Sequence, residues 1–180
     1  MPTSSTNSSG FTLLELLIVL VILAILAVTA GINFRTLSED QVLKKATSDI
    51  QSFLRLAQSN STAGVKCPGT STAGSWSVVF NGSDKKKLEM NCSYVSGDSG
   101  ILIANAKPPL VLENAEVSSI TGSSCTAGPP FTVYYATLYG TVTFNSDTNC
   151  SKATVTVKRV NSTSTKDFYI TKGGSIDAAP

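Results

Sequence analysis

Apolar and polar positions divide the chain into three stretches of different period. From Phe11 to Phe34 the sequence reads FTLLELLIVLVILAILAVTAGINF, 24 residues in which Glu15 is the sole ionisable side chain. Apolar residues at every angle predict a helix without a polar face. At 1.5 Å per residue it measures about 36 Å, enough to cross a hydrocarbon layer of about 30 Å. After Gly31 the pattern turns amphipathic. Val42, Ala46, Ile50, Phe53 and Ala57 recur at steps of three or four, while Lys44, Lys45, Asp49, Gln51 and Arg55 lie on other faces. This predicts that the same helix continues to about Asn60, roughly 50 residues and about 75 Å in all, with its stripe packed on its own domain. Beyond Ser61 short β-rich runs alternate with turn residues: 76–80, 87–92, 101–104, 110–112, 131–136, 141–144, 153–160 and 167–171. Asn81-Gly82, Lys107-Pro108-Pro109, Gly128-Pro129-Pro130 and Gly173-Gly174 punctuate them. A long helix packed on antiparallel strands makes the expected class α+β.

Three readings compete for the N-terminal segment: a cleaved secretory signal, a plain membrane anchor, and a helix whose leader is cut before the apolar run. A secretory signal needs a positive n-region and a short apolar core, but residues 1–10, MPTSSTNSSG, carry no charge and the apolar run is too long. Val28-Thr29-Ala30 keeps that reading open as a small-residue cleavage site. A plain anchor explains the length and not Glu15, whose carboxylate costs about 2.5–3.5 kcal/mol on membrane-insertion scales and therefore needs a partner or a use.

Composition narrows the function classes. The formal charge of +2 is too slight for a polyanion-binding face, and the absence of histidine removes the commonest general base and metal ligand. No nucleophile, base and orienter fall together in the sequence, so the chain reads as a non-enzyme needing no cofactor or metal. Cys67, Cys92, Cys125 and Cys150 lie 25, 33 and 25 residues apart, without a Cys-x-x-Cys pair. An even count behind an export segment favours disulfides over buried free thiols. Three connectivities are open; Cys67 with Cys92 and Cys125 with Cys150 is favoured because each closes a local loop.

The residues Gly10-Phe11-Thr12-Leu13-Leu14-Glu15-Leu16-Leu17-Ile18-Val19 resemble the class III signal of type IV pilins and type II secretion pseudopilins. The resemblance implies a pilin-like fold and cleavage by a prepilin peptidase between Gly10 and Phe11. It also implies methylation of the new N-terminal Phe11 and a pairing of Glu15 with the amine of a neighbouring subunit during assembly. Buried carboxylate and ammonium stabilise each other only when matched. The leader departs from the family in lacking a Lys or Arg before the glycine. The expected organisation is a leader at 1–10, a transmembrane and filament-core helix at 11–34, an amphipathic second half at 35–60 and a β-rich pilin domain at 61–180. Implied partners are other pilin or pseudopilin subunits, the peptidase, a membrane assembly platform and the lipid bilayer before assembly. The implied location is a single pass through the inner or cytoplasmic membrane, with the globular domain outside the cytoplasm, and then a pilus or pseudopilus.

Within that family, Asp49–Ser59, Trp76–Phe80, Tyr139–Thr143 and Ile170–Ile176 are similar to the GspH/FimT-type minor subunits, which implies a structural subunit at or near a filament tip. A major pilin and a DNA- or ligand-binding minor pilin are the alternatives. DNA-binding relatives carry a Gly-Arg-x-Arg stretch where this chain has Gly174-Ser175-Ile176-Asp177, which makes nucleic acid an unfavoured partner. Lys85-Lys86-Lys87 reads as a solvated hairpin tip. Asn-x-Ser/Thr triplets such as Asn91-Cys92-Ser93 are expected by chance in so Ser/Thr-rich a chain. Trp76 and Tyr134-Tyr135 read as alternately buried and exposed rings on strands.

Overall fold

The computed structural model describes residues 12–95, 101–123, 130–145 and 149–179, with side chains at all of these except 28–36, 95 and 101–104. Among the described residues one helix, α1 (Leu13–Thr62), precedes ten strands: β1 (Ser75–Phe80), β2 (Lys87–Val95), β3 (Ile101–Asn105), β4 (Leu110–Val111), β5 (Ala115–Ser123), β6 (Phe131–Tyr135), β7 (Val142–Phe144), β8 (Lys152–Arg159), β9 (Thr165–Thr171) and β10 (Ile176–Ala178). Contacts divide the chain into two compact units, Met1–Ser38 and Glu39–Pro180.

In the second unit the described strands form two antiparallel sheets. The six-stranded sheet runs β3-β2-β1-β6-β7, with β4 also paired to β2, and the four-stranded sheet runs β10-β9-β8-β5. Two-residue periodicity selects the buried faces. Phe131, Val133 and Tyr135 alternate with half-buried Thr132 and Tyr134 on β6; Ala153, Val155 and Val157 alternate with Thr154 and Thr156 on β8. These faces meet α1 in one core through Leu43, Ala46, Ile50, Leu54 and Ala57, all 4 % exposed or less. The buried helical stripe is rotated slightly from the expected one: Leu43 and Leu54 are buried, while Val42 and Phe53 flank the core as partly buried side chains. Beyond Asn60 the helix gains two residues and closes at Gly64. That residue takes φ +62° while Val65 N–H donates to Asn60 O at 2.9 Å and Gly64 N–H to Ser61 O at 3.2 Å, the paired bonds of a Schellman end.

Two strands lie outside the eight runs read from the sequence. β10 is three residues long, too short to carry a period. β5 hides its alternation, because the register shifts between Val117, opposite Val157, and Ser119, opposite Thr156. Ser118 is the extra residue and its hydroxyl donates to Thr156 O at 3.2 Å. The bulge lets Val117 and Ile120, three apart, both face the core, which reads as neither strand nor helix in a linear sequence.

Three features lock the globular unit. The Cys67–Cys92 disulfide ties the segment after α1 to β2, both cysteines 2 % exposed or less. Gly74 lies against it: a Cβ there would come 2.3 Å from Cys67 Sγ and 2.5 Å from Ser93 O, so no side chain fits. Where α1 enters this unit, Glu39 forms a 2.8 Å ion pair with Arg159 and accepts hydrogen bonds from Ser164 Oγ at 2.9 Å and Ser162 Oγ at 3.4 Å. This fastens the helix to the β8–β9 turn, where Asn161 adopts φ +61°. On the exposed side of α1, Asp40–Lys44 and Lys45–Asp49 pair at 2.6 and 3.0 Å. The hydrogen bond from Lys44 holds the Asp40 carboxyl below its ordinary range.

Candidate assembly site

The described residues expected to bear on assembly lie at the start of α1. Thr12 precedes the first helical residue, and Glu15 N–H donates to Thr12 Oγ1 at 3.3 Å and to Thr12 O at 3.1 Å. Thr12-x-x-Glu15 is therefore the forward half of a capping box, and the Glu15 carboxylate sits in the first turn, where the helix dipole favours negative charge. The sequence reading missed Thr12, although the Thr-x-x-Glu spacing before an apolar run is the signal for it. Glu15 is thus doubly suited to this position: it supports the helix start and remains exposed as a carboxylate.

Around it the surface is apolar on every side. Leu13, Leu14, each residue of 16–23, Ile25 and Leu26 are exposed, ranging from 45 % at Val19 to 84 % at Leu13. Such a helix calls for cover from lipid or from other apolar helices. Among the described residues no helix is long and apolar enough to cross a membrane. The described side chains of this apolar stretch run from Leu13 to Ala27, which at 1.5 Å per residue is about 22 Å against a layer of about 30 Å.

Gly10 and Phe11, the expected cleavage and methylation positions, lie outside the described residues, as does Cys125. The expected Cys67–Cys92 bridge is present, whereas the pairing expected for Cys125 with Cys150 falls outside the description, Cys150 itself being buried. No cluster of three metal-ligating side chains occurs among the described residues. The lysine run is only partly a solvated tip. Asn81 Oδ1 accepts from Ser83 and Asp84 N–H to shape the turn and Lys85 is exposed, but Lys85 O and Lys86 O accept from Val117 and Leu112 N–H. Lys87 pairs with Glu89 at 2.7 Å. Trp76 is buried and donates to Val65 O, Tyr135 is buried, and Tyr134 is half-exposed, the alternation expected of the strand rings.

Residues 5–31 match the prokaryotic N-terminal methylation motif. The matched segment contains Gly10, Phe11 and Glu15, together with the exposed apolar helix described above. The motif supports a type IV pilin-like family and fits a subunit that is structural, not catalytic, processed by prepilin peptidase and assembled with other pilin subunits. No curated protein and no solved structure matches the chain.

Proposed function

We propose that the chain is a minor pilin or pseudopilin of the GspH/FimT type, a structural subunit of a type IV pilus or type II secretion pseudopilus. Residues 1–10 are a leader that prepilin peptidase removes between Gly10 and Phe11, and Phe11 is then methylated. Residues 11–34 hold the precursor in the inner or cytoplasmic membrane as a single span, with the globular unit outside the cytoplasm, until a membrane assembly platform moves it into a filament. The observation that carries this reading is the methylation motif over residues 5–31, coinciding with a helix start whose exposed surface is apolar except at Glu15.

Mechanistically, the apolar helix trades lipid for neighbouring helices, an exchange with little net hydrophobic gain. Specificity then falls to the one polar group. A Glu15 carboxylate entering an apolar bundle is stabilised by the methylated amine of a neighbouring Phe11, while an unmatched subunit carries a penalty. The deciding experiment is mass spectrometry of the N-terminal peptide from membranes of a host that supplies the peptidase. A chain beginning at methylated Phe11 supports the reading; one beginning at Met1 or at Gly31 refutes it. In the same host, Glu15→Ala is expected to leave processing intact and to abolish incorporation into filaments.

A further inference from the structure

The two sheets turn different outer faces away from the core. On the four-stranded sheet that face carries Lys152, Lys158, Asp167 and Asp177 among its threonines. On the six-stranded sheet one cross-strand row reads Asn105, Asn91, Ser77, Tyr134 and Thr143, each residue directly opposite the next on β3, β2, β1, β6 and β7. At 4.7–4.9 Å between strands the row is about 19 Å long. None of its five side chains is charged. Ser75, Ser93 and Thr132 add hydroxyls on either side of it, half-buried Val79 stands between Thr132 and Glu89 on the same face, and the nearest charges on β2, Lys87 and Glu89, are paired with each other.

The centre of the row is recessed and under-bonded. Ser77 is 3 % exposed although its register places it on the outer face between Asn91 and Tyr134. Asn91 Oδ1 lies beneath the surface with no hydrogen-bond partner among the described residues. Turning that amide outward to an incoming hydroxyl gains a bond and gives up none made by Oδ1 to the described residues.

We propose that this row is a binding strip for a neutral polyhydroxylated chain, that is, a saccharide. The chemistry of the face excludes the other common occupants. A phosphate-bearing polymer or anionic lipid needs unpaired Lys or Arg, which the row lacks. A protein partner needs a large apolar anchor at the centre of the interface, and the centre here is Ser77 and an amide, with half-buried Val79 to one side of the row. A saccharide needs a line of donors and acceptors that work both ways, which Asn, Ser and Thr provide, and a ring on which its C–H face can lie, which half-exposed Tyr134 provides. The strip belongs to the globular unit and does not depend on the assembly reading.

The test is isothermal titration of the full chain, in a detergent without a sugar headgroup, with cellohexaose, chitohexaose and maltohexaose. At least one is expected to bind with a dissociation constant of about 1 mM or tighter. Because no charge is used, the affinity should stay within twofold when salt rises from about 0.05 to about 0.5 M. Tyr134→Ala and Asn91→Asp are each expected to weaken it about tenfold or more, with unchanged melting curves, while Thr154→Ala on the other sheet leaves it unaltered. Thr143→Leu, on the edge strand, gives the same reading should either central variant fail to fold. Binding of none of the three sugars overturns the proposal, as does affinity that collapses with salt or survives all the row variants.

Discussion

The two halves of α1 share one secondary structure and differ in what satisfies them. From Leu43 to Ser61 the helix buries a single stripe, Leu43, Ala46, Thr47, Ile50, Leu54, Ala57 and Ser61, against sheets of its own chain, and its outward positions carry Lys44, Lys45 and Arg55. From Leu13 to Leu26 the side chains are apolar and exposed around the whole circumference, Thr12 and Glu15 marking the only polar end. Helicity is therefore no guide to what an element is for; the angular distribution of apolar residues is. A one-sided stripe is answered within the fold, and a full cylinder finds no cover among the described residues.

The sharpest way to break this comparison is to truncate one leucine in each half. Leu54 is fully buried, so Leu54→Ala should destabilise the globular unit by about 2–5 kcal/mol, through lost transfer energy and the cavity left behind. Leu17→Ala, at 54 % exposure, should change the unfolding midpoint of that unit by no more than about 0.5 kcal/mol equivalent. Equal losses in denaturant titrations of the two variants would remove the distinction. The far end of the packed half is tested next: Cys67→Ala with Cys92→Ala opens a loop of sequence separation 25 and should cost about 2–4 kcal/mol by the same titration.

At the entry to the packed half, Glu39→Gln keeps the shape and removes the charge facing Arg159. With both side chains 30 % exposed, the expected loss is about 1 kcal/mol, read as earlier proteolysis or hydrogen exchange around residues 39–45. An unchanged exchange pattern would mean that the apolar stripe alone holds the helix. The smallest effect is a gain. Tyr135 is fully buried, its hydroxyl has no partner among the described residues, and burial pushes its pKa well above the ordinary 10.0. Above about pH 10 the unfolded chain gives up this proton while the folded chain keeps it, so stability present at lower pH is lost as pH rises. Tyr135→Phe should be neutral to about 1 kcal/mol stabilising at pH 7 and should flatten the alkaline decline. A loss of stability in the variant at pH 7 would show that the hydroxyl has a partner.

Local periodicity made α1 and the longer strands legible, and β-rich composition between turn residues marked the short β4 and β7. What stayed hidden depends on distance or on broken period. Ser118 interrupts the alternation of β5, and a single inserted residue is invisible without its opposite strand. The division into two sheets follows from pairings such as β5 with β8 that no local pattern announces. Glu39 meets Ser162 and Ser164 across 123 and 125 residues, and its sequence neighbourhood is that of any solvated helical glutamate. The row from Asn105 to Thr143 exists only in register; along the chain its members are ordinary outward strand residues. At the candidate assembly site the reverse holds. The apolar cylinder, Glu15 and the residues before them are contiguous, so the motif could be read directly, and only the cap at Thr12 went unnoticed.

The burial of the Cys67–Cys92 bridge has a kinetic consequence. Thiol–disulfide exchange requires a thiolate to reach one sulfur, and here the folded chain closes over both residues, with the Gly74 backbone packed so near that an added Cβ would meet both sulfurs. The bond is therefore written once, as the chain closes, and is inaccessible to erasure afterwards. In a reducing bath its disappearance keeps time with the opening of the globular unit, which makes the bridge a clock for that opening as well as a staple.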